Sequence, residues 1–352
     1  MFKLRPFESL YTLALLTAVT SAAVVLGSLN AHAYAWRECG GNPLKWGNGW
    51  TNLSISTTSF PPSSAWDARF QNAMWHWNNV KGSRFNFYVL RDTDGTHDDD
   101  NGVNEIYLDN SLSGPLAVTK TRYHCYWFFG WRYGIDETDI GFNNNNSWSL
   151  ATLSYGSLGS PFSFEGVALH ELGHSLGLDH EDHWMATMNS IYPNSGPAGH
   201  WKEWDPLPDD RQGGRFLYSD STTESDIAGS AFKRTGSGTS GLISSPSSAS
   251  RGSGFTIELT FHNQSTSTKT FNIGFYLSTN DYISTADTLL ATNSGAWGSA
   301  GASLTFSRTL TIPRSISPGQ YWLGFIVDFD GGHSENNESN NYMEMPRPIT
   351  IN

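Results

Sequence analysis

Between His170 and His180 the chain reads His-Glu-Leu-Gly-His-Ser-Leu-Gly-Leu-Asp-His, and no other segment narrows the possible folds as much. On a helix, residues four apart project from one face, so His170 and His174 can direct ring nitrogens at a single ion. Glu171 is rotated off that axis yet stays within reach of a water on the ion. Gly177 can adopt positive φ, which ends the helix and lets the chain return His180 as a third ligand. Three imidazoles leave the fourth position of a tetrahedral zinc open to water, the pattern of a catalytic rather than a structural site. The run therefore calls for a helix that stops at Gly177, and the apolar, small-residue stretch Gly166–Leu169 before it suits burial of that helix. Core histidines bonded to carbonyls are the plain alternative, but they leave the spacing of five positions over eleven residues unexplained. His183 also follows closely; the glycine-to-histidine spacing selects His180.

The same run resembles the zinc signature of metzincin endopeptidases, and the matrixin branch in particular. Ala186-Thr187-Met188 lies where matrixins carry their methionine turn, with Met188 as the apolar floor beneath the metal. Asp205 to Tyr218 resembles the last helix of the family, with paired aspartates Asp209 and Asp210 and a terminal Leu-Tyr. Glu137 to Asn143 resembles the strand before the active-site helix, so the likeness spans roughly Lys45 to Tyr218. It implies an α+β zincin-like catalytic domain, with a mixed twisted sheet and an active-site helix. It also implies zinc on His170, His174 and His180, Glu171 as general base, and a protein or peptide substrate. Gly114-Pro115-Leu116-Ala117 resembles the edge strand above the zinc. Such an edge offers unpaired N–H and C=O groups to an extended peptide, although an ordinary hairpin strand reads the same.

A chain of 352 residues accommodates two domains. The formal net charge of −12 argues against nucleic acid or an anionic membrane as partner, because both demand basic surface. Lys3 and Arg5 precede an apolar run from Leu10 to Gly27, and Ala31-His32-Ala33 offers a small-x-small cleavage site. Residues 1–33 thus read as a signal peptide, with an uncleaved anchor as the alternative, and place the protein outside the cell. In that oxidising setting the two cysteines, Cys39 and Cys125, most simply form one disulfide. Arg37-Glu38-Cys39-Gly40 also resembles the matrixin cysteine switch. That reading has too few residues after the cleavage site to make a prodomain, and it leaves Cys125 unpaired.

Along the mature chain, residues 34–220 form the expected catalytic region. Strands are expected at Trp50–Thr58, Phe85–Leu90, Glu105–Leu108 and Leu116–Tyr123. Ser64 caps a helix whose apolar residues Trp66, Phe70, Ala73, Trp77 and Val80 fall at helical spacing before Gly82. The loop Asp92–Gly102 is dense in carboxylates and suits calcium, as well as an ordinary solvated turn. Residues 221–248 read as a Gly/Ser-rich linker. In 249–352, Phe255 to Phe261, Phe271 to Leu277 and Tyr321 to Phe329 alternate apolar and polar, which predicts an all-β immunoglobulin-like sandwich. Phe275-Tyr-Leu-Ser278, Ile312-Pro313, Gly319-Gln-Tyr321 and Glu335 to Asn341 resemble the adhesion-related (CARDB-like) domains of secreted bacterial proteins. This implies an accessory module contacting a surface or polymer; its closing Asn-rich stretch suits either calcium or a solvated turn. The functional expectation is a secreted zinc endopeptidase. The alternative is an adhesion protein built on a metalloprotease-like scaffold, which would have no use for Glu171.

Overall fold

The structure is a computed structural model describing residues 34–93, 100–151, 161–182, 186–190, 205–233, 247–345 and 348–352. The expected signal peptide and His183 lie outside these residues. The described chain is mostly β-structure, with three α-helices, and its apolar residues gather into two main cores.

The first core lies beneath a five-stranded sheet made of β1 (Trp50–Ser56), β2 (Asn86–Asp92), β3 (Glu105–Asp109), β4 (Ala117–Trp127) and β5 (Trp131–Asn143). Their spatial order is β2-β1-β3-β5-β4. The first four in that order run parallel, and β4 returns antiparallel along β5 as the outer strand. Parallel neighbours need a crossover, and α1 (Ala65–Asn78) supplies it between β1 and β2. Ser64 accepts a hydrogen bond from the Asp67 amide and so caps the helix where the sequence places the cap. Phe70, Ala73 and Trp77 are buried from α1; Phe164, Val167, Ala168 and Leu172 are buried from α2 (Phe164–Leu176). The Trp77 indole N–H donates to Leu169 O at 2.9 Å, which satisfies the polar end of a fully buried ring. The third helix, α3 (Pro208–Leu217), begins with proline at its first turn, where no amide hydrogen is needed.

Cys39 and Cys125 are joined, tying the first described residues to the edge strand β4. The second core is enclosed by two sheets. One contains β6 (Ile227–Lys233), β7 (Gly254–Asn263) and β10 (Ser303–Thr311), in the order β6-β7-β10. The other is built around β8 (Lys269–Ser278), β9 (Thr288–Gly298) and β11 (Gly319–Val327), with β12 (Tyr342–Glu344) and β13 (Ile349–Ile351) pairing to β11. Ile257, Leu259 and Phe261 face Phe271, Ile273, Phe275, Leu323, Phe325 and Val327 across the core, as alternation requires.

Two boundaries differ from the sequence reading. The segment 221–248, read as linker, contributes β6, which pairs antiparallel with β7. Its centre, Gly229-Ser230-Ala231, carries no large apolar residue, so composition hides the strand. Packing explains the choice: a Cβ on Gly229 would sit 3.3 Å from the Asn341 carbonyl and from the Phe325 ring. Phe329 likewise falls outside β11, because Asp328 takes a φ of +49° and turns the chain, accepting the amides of Gly332 and His333.

Candidate metal centre and cleft

The centre is assembled on α2. Ser163 caps the helix start, and Gly177 ends it at φ +105°. At Gly177 a Cβ would lie 2.4 Å from Leu44 O, so both the backbone angle and the space call for glycine. The last-turn carbonyls, which an α-helix leaves without internal donors, are met by side chains. The Trp46 indole donates to Ser175 O at 2.8 Å, and the Tyr218 hydroxyl donates to Leu176 O at 2.7 Å. Beyond Gly177 the chain pairs with the first described residues, through Arg37 N to Gly177 O and Asp179 N to Ala35 O, both at 3.0 Å. This fixes the path that carries His180 back over the helix.

His170, His174 and His180 come together, and their ligand nitrogens lie within 4.8 Å of one another. His170 Nδ1 is 2.8 Å from Thr187 O, and His174 Nδ1 is 3.0 Å from Leu178 O. A carbonyl can only accept, so both Nδ1 atoms carry the proton and both Nε2 atoms present lone pairs. His174 Nε2 and His180 Nε2 face each other at 3.2 Å. Two nitrogens on one tetrahedral zinc, each at about 2.0–2.1 Å, stand about 3.3 Å apart, so the donor set fits that ion. Burial lowers the basicity of all three rings, most strongly for His174, where the neighbouring His170 adds to the effect. They are therefore held in the neutral form that binds metal.

Glu171 is buried, and desolvation pushes its carboxyl up to about 7 against the opposing hydrogen bond from Thr119. Thr119 Oγ1 lies 2.6 Å from Glu171 Oε2 and 3.2 Å from Glu171 O. The hydroxyl has one proton, and the shorter contact to the carboxylate takes it. Thr119 sits on β4 two residues beyond Ala117, hence on the same face of the strand. Met188 is buried under α2; a Cβ on Gly173 would fall 2.3 Å from its sulfur, so glycine lets the thioether approach the helix. The turn bearing Met188 hangs from Asp210, whose Oδ2 accepts Thr187 N–H at 2.6 Å and whose Oδ1 accepts Met188 N–H at 3.0 Å. Thr187 in turn holds His170 through its carbonyl, so Asp210 on α3 orients a ring on α2 through one intervening residue.

A cleft of about 600 Å³ opens over the histidines, bordered by Gly114–Thr119 on one side and Asn189 and Ser190 on another. Leu116 and Ala117 line it, and β4 is the outer strand of its sheet. Sequence reasoning missed Thr119, Trp46 and the bonding of Tyr218. Period-two spacing from Ala117 was a usable signal for Thr119 alone. The calcium expectation at Asp92–Gly102 falls largely on residues outside those described.

With the geometry in place, comparison with known proteins adds one family match. Residues 127–219 match the Matrixin family of metallopeptidases. This stretch holds α2, all three histidines, Glu171, Met188 and α3, and the region is metalloprotease-like. No curated protein matches the chain. Solved structures similar to it include a CARDB domain from Pyrococcus furiosus described in complex with di-metal ions. It is 15% identical, with a TM-score of 0.27, over 38% of this chain and 95% of that one. Another is a domain of a putative cell surface protein from Methanosarcina acetivorans, 16% identical, with a TM-score of 0.26, over 36% of this chain and 92% of that one.

Proposed function

We propose that this protein is a secreted zinc-dependent endopeptidase with a matrixin-like, zincin-type α+β catalytic domain over 34–220 and a CARDB-like accessory sandwich. The observation that carries the reading is the convergence of three imidazoles beside a buried, hydrogen-bonded Glu171 at the floor of a cleft bordered by an edge strand. His170, His174 and His180 would hold the zinc as neutral ligands. When bound, zinc supplies Lewis acidity, polarising a water and the scissile carbonyl. Thr119 occupies Glu171 Oε2, which leaves Oε1 to take a proton from the attacking water and return it to the departing amine. The outer edge of β4, through Leu116 and Ala117, receives the substrate as an added strand and lays it across the metal. The accessory sandwich contacts a surface or polymer and plays no part in bond cleavage.

The test is digestion of a peptide library by the zinc-loaded protein, with a chelated control, alongside Glu171→Gln. The variant is expected to bind zinc and lose turnover. Retained proteolysis by Glu171→Gln, purified free of host proteases, or no chelator-sensitive cleavage by the parent, overturns the proposal.

A further inference from the structure

The hairpin that joins β4 to β5 ends in Tyr126-Trp127-Phe128-Phe129-Gly130-Trp131, and its rings stand in solvent. Trp127 is 68% exposed, Phe128 61% and Phe129 91%, with Tyr126 and Trp131 exposed beside them. Single exposed aromatics are ordinary on a protein surface, but five at one tip make a continuous apolar projection. The fold holds that projection firmly. Cys125, just behind the tip, is joined to Cys39. The Trp131 ring lies so close over Gly40 that a Cβ there would meet it at 2.2 Å. Phe129 has a φ of +48°, in the left-handed region that turns normally give to glycine or asparagine. The chain thus keeps a phenyl ring where glycine would relax the backbone, and that ring supports no core.

Shape, ring geometry, area and charge decide what covers such a tip. Residues directly paired on antiparallel strands share a face, so Trp127 and Trp131 project from one face of the hairpin, and Tyr126 and Arg132 from the other. Rings on both faces and at the turn call for an apolar medium around the tip rather than one flat partner surface. Neighbouring rings meet edge to face, at 80° for Trp127–Trp131 and 76° for Phe128–Phe129, so no coplanar pair offers a platform for sugar rings. Trp127, Phe128 and Phe129 together expose on the order of 400 Å², against about 800 Å² per partner in a stable protein interface. That is too little for a second copy of the chain. Residues 121–135 carry Arg122, His124 and Arg132 and no carboxylate, although the chain as a whole has a net charge of −12. No acid of the hairpin therefore leaves water when its tip enters an apolar layer. Arg122 and His124 are met by Asp100 at 3.4 Å and Asp136 at 2.8 Å, while exposed Arg132 is placed to meet phosphate oxygens. An interfacial depth of about 5–10 Å corresponds to two or three residues of strand at about 3.3 Å each. It buries Phe128 and Phe129, sets Trp127 and Trp131 at the boundary, and brings Tyr126 and Arg132 to the headgroups. Membranes sort these side-chain types in that order. The negative charge of the whole chain selects a net-neutral bilayer over an anionic one.

We infer that the tip of the β4–β5 hairpin is a membrane anchor that docks this protein reversibly on a net-neutral phospholipid surface. β4 also borders the cleft through Ala117, about 30 Å of strand from Trp127, so docking fixes the height of the cleft above the lipid. That consequence rests on the endopeptidase reading; the docking itself does not.

The experiment is co-sedimentation with sucrose-loaded phosphatidylcholine vesicles. It uses the chain from Tyr34 onward, because the apolar run Leu10–Gly27 would hold lipid by itself. Parent, the double variant Phe128→Ser/Phe129→Ser and the single variant Phe129→Gly are compared, with thermal melting as the check on folding. The parent is expected to partition onto the vesicles. The double variant should lose about tenfold or more in partitioning while melting no lower than the parent. Phe129→Gly relaxes the positive φ and removes one ring, so it should melt no lower and bind less. If the double variant melts lower, Phe129→Gly alone decides the comparison. Vesicles containing phosphatidylserine, cellulose and chitin pull-downs, and sedimentation equilibrium of the protein alone run beside it. No partitioning of the parent onto phosphatidylcholine, equal partitioning by parent and folded variants, or binding that needs the anionic lipid each overturns the inference. So does a loss in the variants of polysaccharide binding or self-association in place of vesicle binding. Vesicle binding is read without any peptide, so its outcome stands whether or not the protein proves to be an endopeptidase.

Discussion

Thr119 offers the sharpest test of how the cleft works, because its hydroxyl touches Glu171 and nothing in the metal-ligand set. Thr119→Val keeps the β-branched shape that a strand favours, and the backbone pairing with Ile140 on β5 is untouched. Only the 2.6 Å donation to Glu171 Oε2 is removed. Hydrogen bonds to charged groups contribute about 1.5–3 kcal/mol, and Glu171 is 5% exposed, so water cannot readily replace the lost donor. At about 1.4 kcal/mol per decade, that loss corresponds to a fall of roughly 10- to 150-fold in turnover. The fall should appear in kcat rather than KM, since the hydroxyl orients the base and is not needed to seat the peptide. Steady-state cleavage of a fluorogenic peptide, with zinc content measured on the same samples, reads both. Thr119→Ser should recover most of the rate, because it restores the donor. A Thr119→Val enzyme with full zinc and kcat within twofold of the parent would refute the reasoning; so would a loss confined to KM, or one that serine fails to rescue.

Three further outcomes follow from the packing. Replacing both Cys39 and Cys125 by serine opens a bridge spanning 86 residues, and chain entropy predicts a loss of about 4–5 kcal/mol, read by denaturant unfolding. Gly177→Ala forces a Cβ toward Leu44 O at positive φ; it should cost about 1–3 kcal/mol and weaken zinc affinity, since His180 follows directly, and unchanged zinc binding by competition titration would count against this account. Asp139 is buried on β5, and burial first, then the charges of Glu137 and Glu105, raise its carboxyl to about 7. A folded value above the unfolded value of about 3.9 means that stability declines as pH rises from about 4 to 7 and stays lower above it. Asp139→Asn keeps an acceptor for the Glu105 amide and should flatten that decline, by on the order of 2 kcal/mol at pH 8; equal slopes for parent and variant would exclude the effect.

The parts of this molecule that could be read in the sequence are those where one short segment fixes the geometry by itself. Helical spacing places His170 beside His174, and Gly177 lets the chain turn back toward them, while the backbone bonds to Arg37 and Ala35 complete the path that brings His180 in. Period-two alternation likewise marks β7, β8 and β11, whose large side chains meet in one core. Where the sequence is silent, the decisive contact joins a side chain to a distant side-chain or backbone group or depends on the lack of a side chain. Thr119 reaches Glu171 across 52 residues, Tyr218 caps α2 across 42, and Asp210 holds the Met188 turn across 22. None of these residues departs from ordinary composition, and only Thr119 carries a periodic signal, its period-two spacing from Ala117. The strand β6 is hidden for the complementary reason: Gly229 is small because Asn341 and Phe325 crowd it, so the packing that makes the strand necessary removes the pattern that would announce it. The spacing of the three histidines is thus a local property of α2 and its turn, and the distant bonds to Arg37 and Ala35 hold that turn in place. The orientation of each histidine ring and of Glu171 is a property of the whole fold, and substitutions at Thr119 or Asp210 should disturb that orientation while leaving every residue of the His170–His180 run in place.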